Sequence, residues 1–341
     1  MIHGFINLNK PAGWTSHDCV ARTRKLLNTK KIGHGGTLDP LATGVLPLAV
    51  GRATRLLQYL PGGKAYRAVV RFGLTTTTDD LEGDIAEQRG ATGLEKATVE
   101  AALCQFIGEI EQIPPMYSAI QVEGRRLYDL ARSGKTVDVP RRRVTIEQLE
   151  SRSWKAGAQP ELTVDVTCGA GTYIRSLARD LGEAVGTGAT LAGLMRTCSS
   201  GFGIDQSISL EALEGAIAQG TFSPVSAGQA MAHLAAIALP PDLARRWQLG
   251  QKLEVTQDMS LPQPISGRQD YPPVRILEAT TQTFLGVSEI RTIPIDTIPI
   301  GTVPIGTVPI ESLESSTADS HRKILAPKRV FLTVDQHDLC L

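Results

Sequence analysis

The chain has 341 residues, of which 42% are hydrophobic and 21% are charged, and its formal net charge is zero because 35 basic residues balance 35 acidic residues. This length favours two domains, and this composition excludes a collagen-like chain and a wholly disordered one. A net charge of zero gives no overall electric field that would indicate a nucleic-acid partner.

The first part of the chain alternates between strands and helices. Thr15 with Asp18 forms a capping-box pattern, which predicts the start of a helix. Residues 65–72 alternate between apolar and polar side chains, which predicts a half-buried strand. Thr98 predicts the N-cap of a second helix, which the prolines at 114–115 would end.

The same alternation continues in the middle of the chain. Residues 162–168 predict another strand, which is followed by a glycine-containing turn at 169–171 and a helix with Ile174, Leu177 and Leu181 on one side. Helices do not follow every strand, so a regular barrel of alternating strands and helices is not supported. The pattern predicts a mixed α/β fold.

A change of composition predicts a domain boundary. Residues 220–240 are rich in Ala, Gln, Ser and Gly, and the stretch ends at Pro240 and Pro241. Beyond them, residues 274–279 and 283–290 are typical of strands in a small β domain, and residues 329–332 are typical of a closing strand. The predicted domains are residues 1–236 and 237–341.

A five-residue repeat interrupts the predicted C-terminal domain. Residues 292–310 read TIPID, TIPIG, TVPIG and TVPI, so proline recurs at every fifth position. Proline removes a backbone donor and ends helices, and the tract is too short for a solenoid of packed repeats. Together with the Ser- and Thr-containing stretch that follows, it predicts a disordered surface loop over residues 291–323.

Positive charge is concentrated in two segments despite the neutral total. Residues 1–72 carry eleven basic side chains and two acidic ones, and residues 124–143 carry seven basic and two acidic ones. Two basic regions in a neutral chain indicate a polyanion on one face, although an ordinary solvated surface explains charge clusters equally well.

Three observations predict a cytoplasmic protein. The five cysteines form no C-x-x-C pair, which argues against a disulfide framework or a structural zinc site and favours a reducing compartment. No run approaches the roughly 18 apolar residues of a membrane span. Residues 1–10 lack the basic and then apolar layout of a signal peptide.

The segment GHGGTLDPLATGVLP, residues 33–47, contains four glycines and two prolines that restrict its backbone path. Asp39 lies within it among basic residues, and we expect neighbouring positive charge to keep its carboxylate ionised. Such a carboxylate serves as a nucleophile, a general base or a metal ligand. From spacing alone, an aspartate in a turn before proline is the simpler interpretation.

The chain lacks several common catalytic patterns. There is no P-loop, no H-x-x-x-H or H-E-x-x-H metal motif and no G-x-S-x-G serine motif. This leaves a carboxylate chemistry without metal or nucleotide. Arg175 follows the turn at 169–171 at the start of a predicted helix, where it could pair with a carboxylate or a phosphate, or remain solvated.

Residues 33–47 resemble the catalytic signature of the pseudouridine synthases, in the bacterial branch that modifies position 55 in the T-loop of tRNA. The resemblance covers about residues 3–215, and residues 325–331 resemble the closing strand of the family. The other matching segments are LNKPAGWTS (8–16), KAYR (64–67), QIPPMYSA (112–119), GRRLY (124–128), GTYIRSL (171–177) and LAGLMRT (191–197). The implied fold is the α/β (α+β) pseudouridine synthase fold with a mixed, largely antiparallel sheet, followed by a C-terminal β domain of the PUA type.

The resemblance implies a reaction that requires no metal and no cofactor. Asp39 would be the catalytic aspartate, attacking either the ribose C1′ or the uracil C6 of a uridine whose base then rejoins the sugar through C5. Tyr66 would stack on the uracil and is a candidate base for a ribose proton. Arg175 would pair with Asp39 and keep it charged and aimed.

The resemblance also implies contacts to the substrate. Leu194 would form an apolar wall, Lys10 would support the site, and His34 would contact the T-loop while the target uridine is flipped out. A structural role remains the alternative in each case, such as packing for Tyr66 and Leu194, a turn for His34 and a capping contact for Tyr173. The implied substrate-binding residues are His34, Tyr173, Leu194 and Lys10.

The partner implied by the resemblance is the T-arm of tRNA, bound by a monomer without an obligate protein partner. Residues 124–143 resemble a basic insertion that closes on the RNA and contacts its phosphates. The shape of the splayed loop would carry most of the recognition. The implied RNA-binding residues are Arg125, Arg126, Arg132, Arg141, Arg142 and Arg143.

Two departures from the family pattern and two alternatives remain. Gln121 stands where the family often has lysine, and an acid usual after Gly73 is replaced around residues 75–78, although Asp79 and Asp80 follow. One alternative is a catalytically silent protein that binds or folds tRNA on the same scaffold. The other is a relative that acts within a guide-RNA complex, which the bacterial-like segment 8–16 disfavours.

Overall fold

Two β-sheets organise the chain in the computed structural model, which describes residues 2–118, 121–122, 125–126, 139–256, 259–265, 271–294 and 321–331. The strands are β1 (Gly4–Lys10), β2 (Ile32–His34), β3 (Thr43–Val50), β4 (Lys64–Phe72), β5 (Leu74–Thr76), β6 (Ile85–Gln88), β7 (Gly108–Gln112), β8 (Gln121–Val122), β9 (Arg125–Arg126), β10 (Arg142–Lys155), β11 (Glu161–Cys168), β12 (Ala189–Ser199), β13 (Phe202–Gly203), β14 (Ala236–Leu239), β15 (Leu253–Glu254), β16 (Val274–Glu278), β17 (Phe284–Pro294) and β18 (His321–Val330). The helices are α1 (Ser16–Leu26), α2 (Lys96–Leu103), α3 (Ile174–Ala184), α4 (Leu210–Ala218), α5 (Ala227–Ala230) and α6 (Pro241–Gln248).

The larger sheet is mixed and mainly antiparallel. Its strand order is β1-β3-β12-β4-β11-β10-β7, with β2 on β3 and β13 on β12. Strand β4 pairs antiparallel with β11 and β12, and β10 pairs antiparallel with β11 and β7. Strand β12 is parallel to β3, with Arg196 opposite Gly44. The prediction of an α/β fold with a mixed, largely antiparallel sheet is confirmed.

The parallel contact between β3 and β12 requires a glycine at position 44. A Cβ on Gly44 would clash with the carbonyl oxygen of Arg196, and the φ of Gly44 is +98°, which side-chain-bearing residues rarely adopt. This close approach brings the start of β3 against β12, which carries Arg196 and Leu194.

The helices follow the predicted signals with one correction. Helix α1 begins after Thr15, whose side chain and that of Asp18 form the predicted capping box. Helix α2 begins at Lys96 with Glu95 as its N-cap, so the prediction that Thr98 is the N-cap is wrong. The apolar face at residues 96–103 starts one turn earlier than the hydroxyl signal indicated. Helix α3 buries Ile174, Leu177 and Leu181, as the spacing predicts.

The smaller sheet has the order β14-β16-β17-β18-β15. Strands β14 and β16 are parallel, and the pairs β16–β17, β17–β18 and β15–β18 are antiparallel. Trp247 of α6 is fully buried and packs in one core cluster with Leu253, Ile276 and Leu325. This five-stranded sheet is consistent with the predicted β domain of the PUA type.

The chain divides into two compact units. One consists of Ile6–Leu48 and Pro61–Ser223, and the other of Met1–Phe5, Ala49–Leu60 and Pro224–Leu341. The second unit thus takes in two segments from the beginning of the chain, which the division predicted after residue 236 assigns to the first domain. The predicted domain limits themselves stay a prediction.

The predicted proline-repeat loop lies partly outside the described residues. Residues 295–320 are not described, but residues 291–294 belong to β17 and residues 321–323 belong to β18, with Arg291 opposite Ile324. Both ends of the predicted loop are therefore strand, because residues 291–294 of β17 pair with residues 321–324 of β18. Among the described residues, no helix combines the length and the hydropathy that crossing a lipid bilayer requires.

We expect Trp247→Ala to lower the free energy of unfolding by roughly 3–5 kcal/mol, because it leaves a cavity in the core of the second unit. Leu249 gives a matched control: it lies two residues away and is 74% exposed, so Leu249→Ala should change this free energy by less than about 0.5 kcal/mol. Urea unfolding followed by circular dichroism measures both variants. Equal unfolding midpoints for the two would contradict this account of the core.

Candidate active site

A cavity of about 570 Å³ lies between the loop after β2, the sheet face of β4 and β12, and the start of α3. Five of the predicted site residues line it: Asp39, Tyr66, Tyr173, Arg175 and Leu194. Segments far apart in the sequence therefore meet at one place. The predicted substrate-binding residues Lys10 and His34 do not line this cavity.

Asp39 and Arg175 form an ion pair at the cavity wall. The distance from Arg175 Nη2 to Asp39 Oδ2 is 3.1 Å. The side chain of Arg175 is 6% exposed, whereas that of Asp39 is 40% exposed. The guanidinium thus holds the carboxylate from the protein side and leaves the carboxylate accessible from the cavity.

A second carboxylate shares the same guanidinium. Asp80 Oδ2 lies 3.5 Å from Arg175 Nη1, and the Asp80 side chain is 3% exposed. Arg175 also donates to the carbonyl oxygens of Thr78, at 3.1 Å, and Tyr117, at 2.8 Å. Its orientation is thereby determined by four acceptors, because the planar guanidinium has donors in fixed directions.

The pKa of Asp39 lies above its usual value. Burial is the main cause, and the nearby Asp80 carboxylate acts in the same direction, while Arg175 and Lys10 lower the pKa. Positive charge near Asp39 favours its ionised form, as expected, but burial acts more strongly in the opposite direction. Loss of water around the carboxylate outweighs the attraction of the cations that the fold brings close.

Tyr66 stands opposite Arg196 in the ladder between β4 and β12, and the two side chains are hydrogen-bonded. The Tyr66 side chain is buried, which raises the pKa of its phenol. Arg196 is fully buried and donates to the carbonyl oxygens of Val45 at 2.7 Å, Gly36 at 3.1 Å and Thr37 at 3.3 Å. One guanidinium therefore joins Tyr66 to the loop that carries Asp39.

Lys10 also supports the loop that carries Asp39, through a hydrogen bond to Pro40. Its side chain is fully buried, and Nζ donates to the carbonyl oxygens of Pro11 at 2.9 Å, Trp14 at 2.5 Å and Pro40 at 3.3 Å. All three ammonium donors are thus used by the protein. This geometry agrees with a supporting role and leaves no donor for a substrate.

His34 lies beside the cavity rather than in its wall. Its ring is 5.9 Å from the ring of His17 in an edge-on arrangement, and its Nδ1 accepts a long hydrogen bond of 3.4 Å from the Gly36 amide. His17 does line the cavity. In the described part of the chain, no group of three or more His, Cys, Asp or Glu side chains is placed to hold a metal ion.

Tyr173 and Leu194 line the cavity from opposite elements. Tyr173 is the residue before α3. Its backbone amide donates to Gln112 Oε1 at 3.1 Å, and Gln112 Nε2 donates to its carbonyl oxygen at 3.3 Å. This pair of hydrogen bonds anchors the turn that positions Arg175. Leu194 lies opposite Ala68 in the ladder with β4 and adds apolar surface.

Half of the predicted RNA-binding arginines have described side chains. Arg132 lies outside the described residues, and Arg125 and Arg126 are described as backbone of the short strand β9. Arg141, Arg142 and Arg143 are exposed where β10 begins, and Arg143 lies 3.3 Å from Glu109 in an exposed ion pair.

Sequence reasoning does not assign several residues that line the cavity or hold its charges. Asp80 is visible in the sequence as an acid near a family position, but its contact with Arg175 depends on the fold. Ser118 lines the cavity, and its buried hydroxyl has no hydrogen-bond partner within the described ranges. Its position in the segment 112–119 is the available signal. His17 and Lys64 also line the cavity; Lys64 lies inside a segment that matches the family, and His17 directly follows one.

Comparison with known proteins shows which family the chain is similar to. The family described as TruB family pseudouridylate synthase (N terminal domain) matches residues 24–174. The chain is 53% identical over 291 residues to tRNA pseudouridine synthase B of Trichormus variabilis, covering 85% of this chain and 96% of that protein. It is 57% identical over 251 residues to the protein of the same name from Synechocystis sp., covering 73% and 85%.

Solved structures show the same fold over most of the chain. An H/ACA RNP bound to a substrate RNA containing 2′-deoxyuridine matches with a TM-score of 0.65 and 25% identity, covering 97% of this chain and 86% of that chain. A Cbf5-Nop10-Gar1 complex matches with a TM-score of 0.65 and 26% identity, covering 96% and 85%. Since more than half of the aligned residues are identical to the bacterial relatives over most of both lengths, the chain belongs to the TruB family of pseudouridylate synthases.

Proposed function

We propose that this protein converts uridine 55 in the T-loop of tRNA into pseudouridine. The observation that carries the proposal is the Asp39 carboxylate, held by the buried Arg175 and open to a cavity that Tyr66 and Leu194 also line. The high identity to proteins named tRNA pseudouridine synthase B supports tRNA as the substrate. The match of residues 33–47 to the branch that modifies position 55 supports the T-loop as the place.

The reaction exchanges one bond to the sugar for another. The bond between ribose C1′ and uracil N1 breaks, the base turns, and a bond between C1′ and C5 forms. C5 loses its proton and N1 gains one, so the overall composition is unchanged and no redox partner is needed. Asp39 is the nucleophile, at C1′ or at C6, and a covalent intermediate divides the difficult exchange into two easier steps.

Arg175 and Tyr66 support this step in different ways. Arg175 stabilises the ionised form of Asp39 against burial, which is necessary because a protonated carboxyl is not a nucleophile. Burial raises the pKa of Tyr66, so its phenol is protonated at neutral pH in the free protein. We therefore assign stacking on the uracil as its principal role, with Leu194 as an apolar wall.

Lys10 and His34 act on the surroundings of the reacting groups. Lys10 is a positioning residue, because its Nζ donates to the carbonyl oxygen of Pro40, next to Asp39, and to those of Pro11 and Trp14 in its own segment. His34 neighbours the cavity-lining His17, and we assign it a contact to the T-loop beside the flipped-out nucleotide. Tyr173 belongs to the substrate-binding wall at the start of α3.

RNA binding involves the basic residues 124–143. Arg141 and Arg142 are exposed and make no ion pair within the described ranges, so they are available to backbone phosphates. Chemistry on a base inside a folded loop requires that the base be extruded, and the cavity at Asp39 is where the extruded base would bind. We further propose a monomer without an obligate protein partner, acting in the cytoplasm, where tRNA is matured.

Two other functions fit less well. A catalytically silent tRNA-binding protein does not need an accessible carboxylate that is held by a buried arginine, as Asp39 is held by Arg175. A guide-RNA-dependent enzyme is suggested by the solved structures, but their identities of 25% and 26% are about half of those to the bacterial tRNA enzymes.

We expect Asp39→Asn to lower the single-turnover rate by a factor of roughly 10⁴ or more, because the amide cannot act as a nucleophile. Its affinity for tRNA should stay within a few fold of the wild-type value. A single-turnover assay on an unmodified tRNA transcript tritiated at uridine C5 measures product as released tritium. Binding is measured in parallel by filter retention.

The control for this variant is Asp205→Asn, which neutralises an exposed aspartate outside the cavity and should leave both quantities unchanged. Tritium release by Asp39→Asn at the wild-type rate would refute the assignment of the nucleophile. Absence of release from the wild-type protein, despite tight binding, would refute the enzymatic function.

The acid side of the pH–rate profile should depend on Arg175. Asp39 must be ionised, so kcat/KM falls as the pH decreases through its pKa, which burial has already raised. Arg175→Met removes the cation that opposes burial and leaves Asp80 repelling Asp39, so we expect the acid limb to move to higher pH. Arg175→Lys keeps a positive charge and should shift the limb less.

Arg71→Gln provides the control for this profile, because Arg71 pairs with Glu161 and does not line the cavity. The profiles are measured by single-turnover tritium release between about pH 4 and pH 8, with folding checked by circular dichroism. An acid limb at the same pH in Arg175→Met and Arg71→Gln would contradict the role of Arg175.

The double variant Arg141→Gln with Arg142→Gln should weaken tRNA binding and its dependence on salt. For each phosphate that these arginines no longer neutralise, the slope of log K against log salt should become less negative by about 0.7 to 0.9. Arg152→Gln is the control, since this arginine lies on the same strand but is neutralised by Asp165 at 2.7 Å and Glu150 at 3.0 Å. Equal slopes for the double variant and the wild type would exclude phosphate binding by these residues.

A further inference from the structure

Among the residues that the structure describes, the ammonium group of Lys64 is a cation in the cavity wall without a carboxylate partner. Lys64 begins β4 and is partly buried. No hydrogen bond or ion pair of its ammonium group is formed within the ranges that the structure describes. Other partly buried bases in this unit have acids, such as Arg71 with Glu161 and Arg179 with Asp79. An unpaired charge of this kind is unfavourable unless a ligand supplies the counter-charge.

A second cation lies close to it. The space above Gly36 is bordered by both groups, because a Cβ built on Gly36 would lie 3.7 Å from Lys64 Nζ and 3.7 Å from Arg196 Nη1. Arg196 is satisfied by three carbonyl oxygens and the Tyr66 phenol, none of which carries a full negative charge at neutral pH. Two positive charges therefore border one place in the loop before Asp39.

The surroundings do not neutralise Lys64. Burial and the neighbouring Arg196 lower its pKa. The Cys168 thiol, which stands opposite Lys64 in the ladder with β11, acts in the opposite direction. Burial raises the pKa of Cys168, so this thiol is uncharged at neutral pH. An anion bound here would relieve the repulsion between the two cations.

The position of Lys64 relative to Tyr66 indicates which anion this is. Alternate residues of a strand share one face, so Lys64 and Tyr66 lie on the same face of β4, about 6.5 Å apart along the strand. That separation is on the scale of one nucleotide. A phosphate that flanks a uracil stacked on Tyr66 would therefore lie within reach of Lys64.

We propose that Lys64, with Arg196 beside it, forms a binding site for a backbone phosphate that flanks the flipped-out uridine. This inference rests on the proposed function and adds a specific contact to it. The site explains why the positive charge of Arg175 offsets the negative charges of Asp39 and Asp80, whereas no acid among the described residues offsets the positive charge of Lys64. It also holds the substrate by its charge and leaves the base free to turn.

The test is a thermodynamic cycle between the lysine and the phosphate. The full chain carrying Asp39→Asn, with and without Lys64→Met, is titrated with a T-arm stem-loop RNA. The phosphates 5′ and 3′ of the target uridine are replaced, one at a time, by an uncharged methylphosphonate. On unmodified RNA, Lys64→Met should reduce affinity roughly 10-fold and make the salt slope less negative by about 0.7. With one of the two methylphosphonates, the same substitution should have almost no further effect.

Lys155→Met is the matched control. Lys155 pairs with Glu161, at the opposite end of the β4–β11 ladder from Lys64, and its side chain is 80% exposed. It should change neither the affinity nor the cycle. Circular dichroism melting curves establish that Lys64→Met is folded.

The results separate this inference from the function on which it rests. Conversion of the unmodified RNA by the wild-type chain tests the function, and it is measured first. If the RNA is converted but Lys64→Met binds all three RNAs as tightly as its parent, the phosphate site does not exist. Equal reductions in affinity on all three RNAs would also overturn it, because the lysine would then contact the uracil or support the fold.

Discussion

The ion pair between Asp39 and Arg175 is the interaction on which the active site depends. A guanidinium that is almost completely buried requires acceptors on every side, and it takes them from four different residues: Asp39, Asp80 and the carbonyl oxygens of Thr78 and Tyr117. The turn before α3, anchored by Gln112, determines where this cation stands. Because the cation is shared by two carboxylates, each of them is less than fully neutralised, and the exposed one faces the cavity. Burial and the shared cation together leave a carboxylate that is held in place and accessible from the cavity.

Two further buried cations hold the loop that carries Asp39. Its backbone cannot satisfy all of its carbonyl groups in a regular ladder, and buried carbonyl groups need donors. Lys10 supplies one hydrogen bond to this loop, at Pro40, and Arg196 supplies three, at Gly36, Thr37 and Val45. The glycines of the loop permit this close approach, most clearly at Gly44 against Arg196. The segments 8–16, 33–47 and 191–197 thus belong to one hydrogen-bonded unit, although they are far apart in the chain.

The charges of the cavity are arranged differently from the charges of the sequence. Residues 1–72 carry eleven bases, but several of them lie at the surface, and those that act on Asp39 are Lys10 from this segment and Arg175 from a distant helix. Lys64 also lines the cavity, two residues before Tyr66 on β4 and near the buried Arg196. A neutral protein therefore presents a polarised cavity, which suits a substrate that brings its own negative charge.

The sequence by itself determined the family, the alternation of strands and helices, and the capping box of α1, and it predicted Asp39, Tyr66 and Arg175 as catalytic residues, because these follow from local patterns and from segments that match in order. It misplaced both ends of the proline-repeat loop, since strand ends depend on the partner strand rather than on local composition. It also misplaced the start of α2, where Glu95 and not Thr98 is the N-cap. The tertiary structure alone decided the direction of the pKa shift of Asp39 and the pairing of Asp80 with Arg175. It also decided that Lys10 is fully buried and that Lys64 has no acid partner among the described residues. Each of these depends on desolvation and on distances between segments far apart in sequence, and neither quantity is encoded in any single stretch of the chain.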